Sequence, residues 1–382
     1  MLITRLKWLD TNLREDWINS AFSFLGRMNR ILKRLSAKRR TTTVSDQTPV
    51  VSAAPSRDEK LRRIALKAAT SIVSTAVIVS VLLGVDLYLH HKHGINLWGY
   101  RGPDAGQKQP GEKRIVVLGG STAWGFGLSV GQDFPGQLQQ RFAERTRTAG
   151  DPLIRVLNLG FNNEGAYSFK YTLNDYNYLG YDAIVLYSGY NDLGENRMVF
   201  RHQSPIFIWT GYLPLLPALT MAKISVWRSR LRTGNQPTVF VQPSRNGPET
   251  SEQTSRSLQR QLGSLTNSGS AAKPADGDCP AEWQFYCQQI YEATDLALKH
   301  GQRVLVVTEP YISDKHVEQQ RALEAMLKQR FEGEAHLRYL NLGRTVDLQD
   351  RSLCWDGMHL TEEGNRRIAE ALMQPVLEIL QR

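Results

Sequence analysis

The sequence predicts an α/β fold: a doubly wound parallel-sheet sandwich preceded by one transmembrane helix. Three observations predict it. Short, continuous apolar runs rich in Val, Ile and Leu recur after residue 110, as in strands buried on both faces. Helix-period segments separate them, and strand–helix alternation makes a parallel sheet with helices on both sides. Ahead of all this, Ala68 to Val85 is an 18-residue run without a charge.

That run is long enough to cross a bilayer, which takes roughly 17–25 mainly apolar residues. The span is drawn as 64–89, Ile64 to Leu89, with Lys67 snorkelling and Asp86 at the far interface. Arg62, Arg63 and Lys67 flank one side and His90 to His93 the other, a frame that suits a membrane span better than a core helix. A cleaved signal peptide fits poorly, because no small-x-small pattern follows closely. The 382 residues carry a formal charge of +10, and residues 1–67 hold 15 Lys and Arg against 6 Asp and Glu. The remainder is nearly neutral, 47 − 15 = 32 basic against 37 − 6 = 31 acidic. A nucleic-acid partner is therefore excluded for the main domain. The basic excess instead predicts a cytoplasmic N-terminus and a main domain beyond the inner membrane, in the periplasm.

Residues 1–63 read as a basic cytoplasmic arm. Over 1–40, Leu6, Leu9, Leu13, Trp17, Leu25, Met28, Ile31 and Leu35 are spaced mostly at three or four, with basic residues between. This suits an amphipathic helix on an anionic membrane surface or on an envelope-assembly partner. Residues 41–58 read as a flexible linker.

In the main domain, 95–382, strands are expected at Arg114–Gly120, Ile154–Gly160, Asp182–Gly189, Arg303–Glu309 and His336–Leu342. Helices are expected at Phe134–Arg147, Tyr167–Leu179, Ala281–His300, Asp314–Phe331 and Thr361–Leu380. An insertion, 197–280, interrupts the alternation. Its first part, Pro205–Trp227, is apolar with three prolines and fits a substrate wall or a segment packed on the sheet edge or membrane. Its second part, Gln242–Asp278, is rich in Ser, Gly, Asn, Gln, Thr and Pro and reads as a loop without fixed structure. Cys279, Cys287 and Cys354 have no metal-ligand spacing; Cys279 and Cys287 either pair across a short loop or stay reduced. His202, His300, His316 and His336 read as surface residues.

Four segments carry chemistry. Gly119-Gly120-Ser121-Thr122, Asn158-Leu159-Gly160 and Gly189-Tyr190-Asn191-Asp192 follow the first three strands, where such sheets bind ligands. Asp356-Gly357-Met358-His359 stands near the C-terminus. Acyl transfer needs a hydroxyl nucleophile, Ser121; a base to take its proton, His359; and a carboxylate to hold that base, Asp356. It also needs donors for an oxyanion, which the N–H groups of Gly160 and Ser121 and the Asn191 amide can supply. Taken singly, Ser121 reads as a helix cap, Gly160 and Asn191 as turn residues, and Asp356 as a cap. All four segments in this order point to one ester-cleaving site.

The segments resemble those of the SGNH, or GDSL-type, hydrolase family from about Lys113 to Leu380, the insertion excepted. The tail Asp-Gly-Met-His-Leu-Thr-x-x-Gly-Asn matches the family's last motif, and Asp192 completes Gly-x-Asn-Asp. Gly125 keeps the glycine four residues after the nucleophile. The first motif departs: the family usually has Gly-Asp-Ser, and here Gly120 replaces the Asp. The resemblance implies an SGNH, flavodoxin-like sandwich and a hydrolase of esters or thioesters without cofactor or metal. Its substrate would be an acyl ester of an envelope carbohydrate, lipid or small molecule. The same residues would also serve an O-acyltransferase acting on a cell-envelope polysaccharide, and a glycan-binding protein with a vestigial site is the non-catalytic alternative.

Overall fold

The structure, a computed structural model, describes residues 56–150, 152–217, 220 and 279–381. The expected arm helix over 1–40, nearly all of the linker and the Gln242–Asp278 loop lie outside these residues. By internal contacts the chain divides into two units, Met1–Val73 and Ser74–Arg382. The helix α1, Arg57–His93, runs through the division and is the described part of the first unit apart from Ser56. Ser56 caps it by accepting from the Glu59 N–H. At 37 residues it is about 55 Å long at 1.5 Å per residue. It is long and apolar enough to cross a membrane, with a mean hydropathy of 2.2 over its best window.

The second unit is a five-stranded parallel sheet between two helical layers. Its strands are β1 (Lys113–Gly119), β2 (Ile154–Asn158), β3 (Ala183–Ser188), β4 (Arg303–Thr308) and β5 (Leu337–Leu340). Its helices are α2 (Ser121–Trp124), α3 (Phe134–Ala149), α4 (Ala166–Asp175), α5 (Pro205–Thr210), α6 (Gln284–Lys299), α7 (Asp314–Arg330) and α8 (Glu362–Gln381). The strand order is β2-β1-β3-β4-β5. Alternate strand residues face opposite sides. Val116, Leu118, Ile184, Leu186, Val304 and Val306 join one core with α4, α6 and α7. Ile115, Val117, Ala183, Val185, Leu305 and Val307 join the other with α3 and α8. Burial on both faces is why these strands read as unbroken apolar runs.

The expected strands and helices are present, with ends shifted by a few residues. The second expected helix is shorter than read: α4 ends at Asp175 and a 3-10 turn, Asn177–Leu179, follows. The chain order reverses at β1, with β2 on one side and β3 on the other, and ligand crevices form at such switch points. Register pairs Val117 with Asn158 and Gly119 with Tyr187, so the three strand ends carrying the motifs lie side by side. Cys279 and Cys287 are disulfide-bonded, and Cys354 is a buried free thiol.

One expectation fails. His316 is fully buried, not a surface residue. It heads the inward stripe of α7, followed by Gln319, Gln320, Leu323, Met326 and Leu327. The first turns of that stripe are polar, so the usual apolar signal of an inward face is missing there.

Candidate active site

Ser121 opens α2 immediately after β1 and the Gly119-Gly120 turn. The next three residues, Thr122, Ala123 and Trp124, are buried, which fixes the turn and leaves Ser121 half-exposed. As the first helical residue, its N–H belongs to the end of a helix where donors have no partner within the helix. His359 arrives from the other end of the chain. Its Nε2 lies 2.9 Å from Ser121 Oγ, and its Nδ1 lies 2.7 Å from Asp356 Oδ2.

The Asp356–His359 loop is built for this pose. Gly357 takes a φ of +82°, a left-handed conformation that favours glycine, and the chain folds back on itself. Asp356 Oδ1 then accepts the N–H groups of Met358, at 3.0 Å, and His359, at 2.7 Å. Burial alone would raise the Asp356 pKa. The hydrogen bonds and charge of His359, with the backbone donors, outweigh burial and hold it below the usual carboxylate value. An ionised Asp356 fixes the proton on Nδ1 and leaves Nε2 to accept from Ser121. The Phe126 ring covers the imidazole, with centroids 4.5 Å apart. Ser121, His359 and Asp356 are thus brought into one relay.

The other residues picked out by sequence surround the same turn. Gly160 abuts α2: a Cβ on it would lie 3.0 Å from the Trp124 nitrogen and 3.1 Å from Ala123 Cβ. Its N–H donates to Asn158 Oδ1 at 3.0 Å, so an incoming oxyanion would have to share that donor. The Asn191 amide donates one hydrogen to the Glu164 carbonyl at 2.9 Å, and a second remains. Asp192 Oδ1 accepts the Ala166 N–H at the start of α4, which ties the Tyr190–Asp192 turn to that helix.

Gly120 is explained by space. Its φ of −85° is open to any residue, but a Cβ there would meet Asn191 Nδ2 at 2.1 Å. The Asn191 amide fills the volume that a side chain at position 120 would enter. Gly120→Asp should therefore displace Asn191 and lower turnover by ~10²–10³, the usual cost of one oxyanion donor. The fold should persist, because the atom met first is a side-chain tip and the Glu164 carbonyl oxygen, 3.0 Å away, need give only a few tenths of an ångström. Ester kinetics with a circular-dichroism control measure this, and equal or higher activity would contradict it.

Sequence reading missed the support beneath the Tyr190–Asp192 turn. Glu309, just past β4, accepts from the Thr122 hydroxyl and, at 2.6 Å, from the Tyr190 N–H. It thereby ties Ser121's neighbour to Asn191's neighbour. Gln319 Nε2 donates to the Asp192 carbonyl at 2.7 Å, and the His316 ring packs edge-on against Tyr190. The signal available was a lone acid ending a buried apolar strand. Burial pushes Glu309 up to about 7, against the pull of its two donors. It likewise pushes Asp192 up to about 8. A carboxyl raised in this way stabilises the fold most at acid pH and loses that contribution as pH climbs through the folded value. Unfolding free energy should thus decline from about pH 4.5 to about pH 7, and Glu309→Gln should flatten the decline. Urea titrations across that range test this, and an unchanged slope would contradict it.

No family model and no curated protein sequence matches this chain. Solved structures do. One is a member of the lipolytic G-D-S-L family from Veillonella parvula, at 11% identity over 69% of this chain and 97% of that one, TM-score 0.37. Another is a family 3 carbohydrate esterase from Clostridium thermocellum, at 14% identity over 71% and 98%, TM-score 0.38. A third is a catalytic mutant of an acetylxylan esterase from Geobacillus stearothermophilus, at 11% identity over 72% and 96%, TM-score 0.39. Likeness at this level carries no weight for the chemistry, which rests on the side chains themselves.

Proposed function

We propose that this chain is a membrane-anchored serine esterase of the SGNH type. The observation that carries the proposal is the relay from Ser121 Oγ through His359 to Asp356, with contacts of 2.9 and 2.7 Å. In this reading Ser121 Oγ attacks the ester carbonyl while its proton passes to His359 Nε2. The carbonyl oxygen becomes an oxyanion facing the N–H groups of Ser121 and Gly160 and the Asn191 amide. As the carbon–oxygen bond to the alcohol breaks, the imidazolium returns its proton to the departing oxygen, leaving an acyl-serine. A water, deprotonated by His359, then releases the acid and restores Ser121. The substrate class is an acyl ester of an envelope carbohydrate, lipid or small molecule.

The length and apolarity of α1 support a single-pass anchor in the inner membrane. The basic excess of residues 1–67 supports a cytoplasmic N-terminus, a span over 64–89 and a periplasmic catalytic domain. The disulfide between Cys279 and Cys287 suits that oxidising compartment. Alkaline phosphatase fused after Arg382 should accordingly be active, and a Sec-incompatible fluorescent protein should glow only when fused before Met1. The opposite pair would place the enzyme in the cytoplasm.

Hydrolysis of a chromogenic acetyl ester by the full-length protein in detergent tests the catalytic reading. Steady turnover is expected. Absence of both turnover and covalent labelling by an organophosphate would overturn it. Acylated product from an added oligosaccharide would make a sugar hydroxyl, rather than water, the acceptor.

A further inference from the structure

Large apolar side chains stand outward on one short helix. On α5, Ile206 and Ile208 are exposed and Trp209 is 87% exposed, whereas Phe207 between them turns inward against Tyr176. Leu97 and Trp98 are exposed as well, and Trp98 adjoins the end of α5: a Cβ on Gly211 would lie 3.1 Å from its ring. These residues make an aromatic and aliphatic patch at a place the core does not use.

The chain beside this patch holds the end of α1. Asp86 accepts from the Tyr212 hydroxyl and the Leu216 N–H. His90 lies with Nε2 2.8 Å from the Leu213 carbonyl and Nδ1 3.0 Å from the Asn96 carbonyl, and its ring stacks on Tyr212 at 5.4 Å. The end of α1 is therefore fastened between the residues just after α5 and those just before Leu97. A helix leaving a bilayer here would bring the patch to the headgroup level. Trp and aliphatic side chains are favoured there, because the ring body is apolar and its N–H can face water.

We propose that the outward face of α5, with Leu97 and Trp98, sits in the interface of the bilayer that α1 crosses. This inference rests on the membrane reading of α1 given above. It gives residues 205–210 of the insertion a job: they seat the domain on lipid. The patch is also continuous with the anchor, which is why lipid is the occupant and not a separate partner.

Site-directed spin labelling of the purified full-length chain tests it, in vesicles of phosphatidylcholine and phosphatidylglycerol. Cys354 is buried and the other two cysteines are bonded, so a single introduced cysteine takes the label. Labels would be placed by Trp209→Cys, by Ile78→Cys within α1, and by Glu144→Cys on α3, which packs on the opposite face of the sheet. Collision with oxygen reports lipid and collision with a soluble nickel chelate reports water. The labels at 209 and 78 should both give an oxygen-to-nickel ratio several-fold above that at 144. A lipid-like signal at 78 with a water-like one at 209 would overturn the docking alone. Shielding of 209 from both reagents would mean contact with a second copy and would also overturn it. A water-like signal at 78 would remove the anchor reading and the docking together, leaving the catalytic reading untouched.

Discussion

Ser121→Ala should lower kcat for an acetyl ester by a factor on the order of 10⁶, the scale seen when a serine nucleophile is deleted from a triad. The hydroxyl bonds to His359 Nε2, and the residues that fix the turn are its buried neighbours Thr122, Ala123 and Trp124. Stability should therefore change by less than about 1 kcal/mol, the net worth of one hydrogen bond. Thermal unfolding beside ester kinetics separates the two effects. A variant that unfolds, or one that keeps more than a small fraction of its turnover, would contradict the role given to this serine.

Asp356→Asn should cost on the order of 10⁴ in kcat, as expected when the group holding the imidazole tautomer is neutralised. An Asn oxygen can still accept the N–H groups of Met358 and His359, so the loop keeps both of these contacts. What it loses is a carboxylate oxygen at 2.7 Å from His359 Nδ1. The wild-type carboxyl is held below its ordinary pKa, so its hydrogen bonds to His359 and the backbone donors contribute at neutral pH and are lost only in acid. The variant should lose this contribution and so show less dependence of stability on pH at the acid end. Kinetics of the purified variant at neutral pH test the larger effect, and a loss under tenfold would count against the relay.

The sheet was legible in the sequence because parallel strands covered on both faces are largely apolar, and three of the four motifs close such a run. Ser121, Gly160 and Asn191 could be placed together since they end three strands, although strand order had to come from the structure. Asp356 and His359 were legible from local spacing, three residues apart around a glycine. What stayed hidden is non-local and polar. Glu309, His316, Gln319 and Gln320 face inward under the Tyr190–Asp192 turn, and in sequence they look like ordinary surface polarity. The fitness of Gly120 depends on the Asn191 amide, 71 residues later in sequence. Asp86, read as a charge at the membrane edge, is buried by partners from Tyr212 and Leu216. A domain cut at residue 95 would discard it together with His90.

The central claim is that Ser121 is a nucleophile activated by His359. Its most direct test is to treat the full-length protein with a fluorophosphonate and locate the adduct by peptide mass spectrometry. One phosphonylated serine, Ser121, is expected, with labelling slowed strongly in an His359→Ala variant that remains folded. Phosphonylation at another residue, or labelling at Ser121 that is as fast without His359, would contradict it.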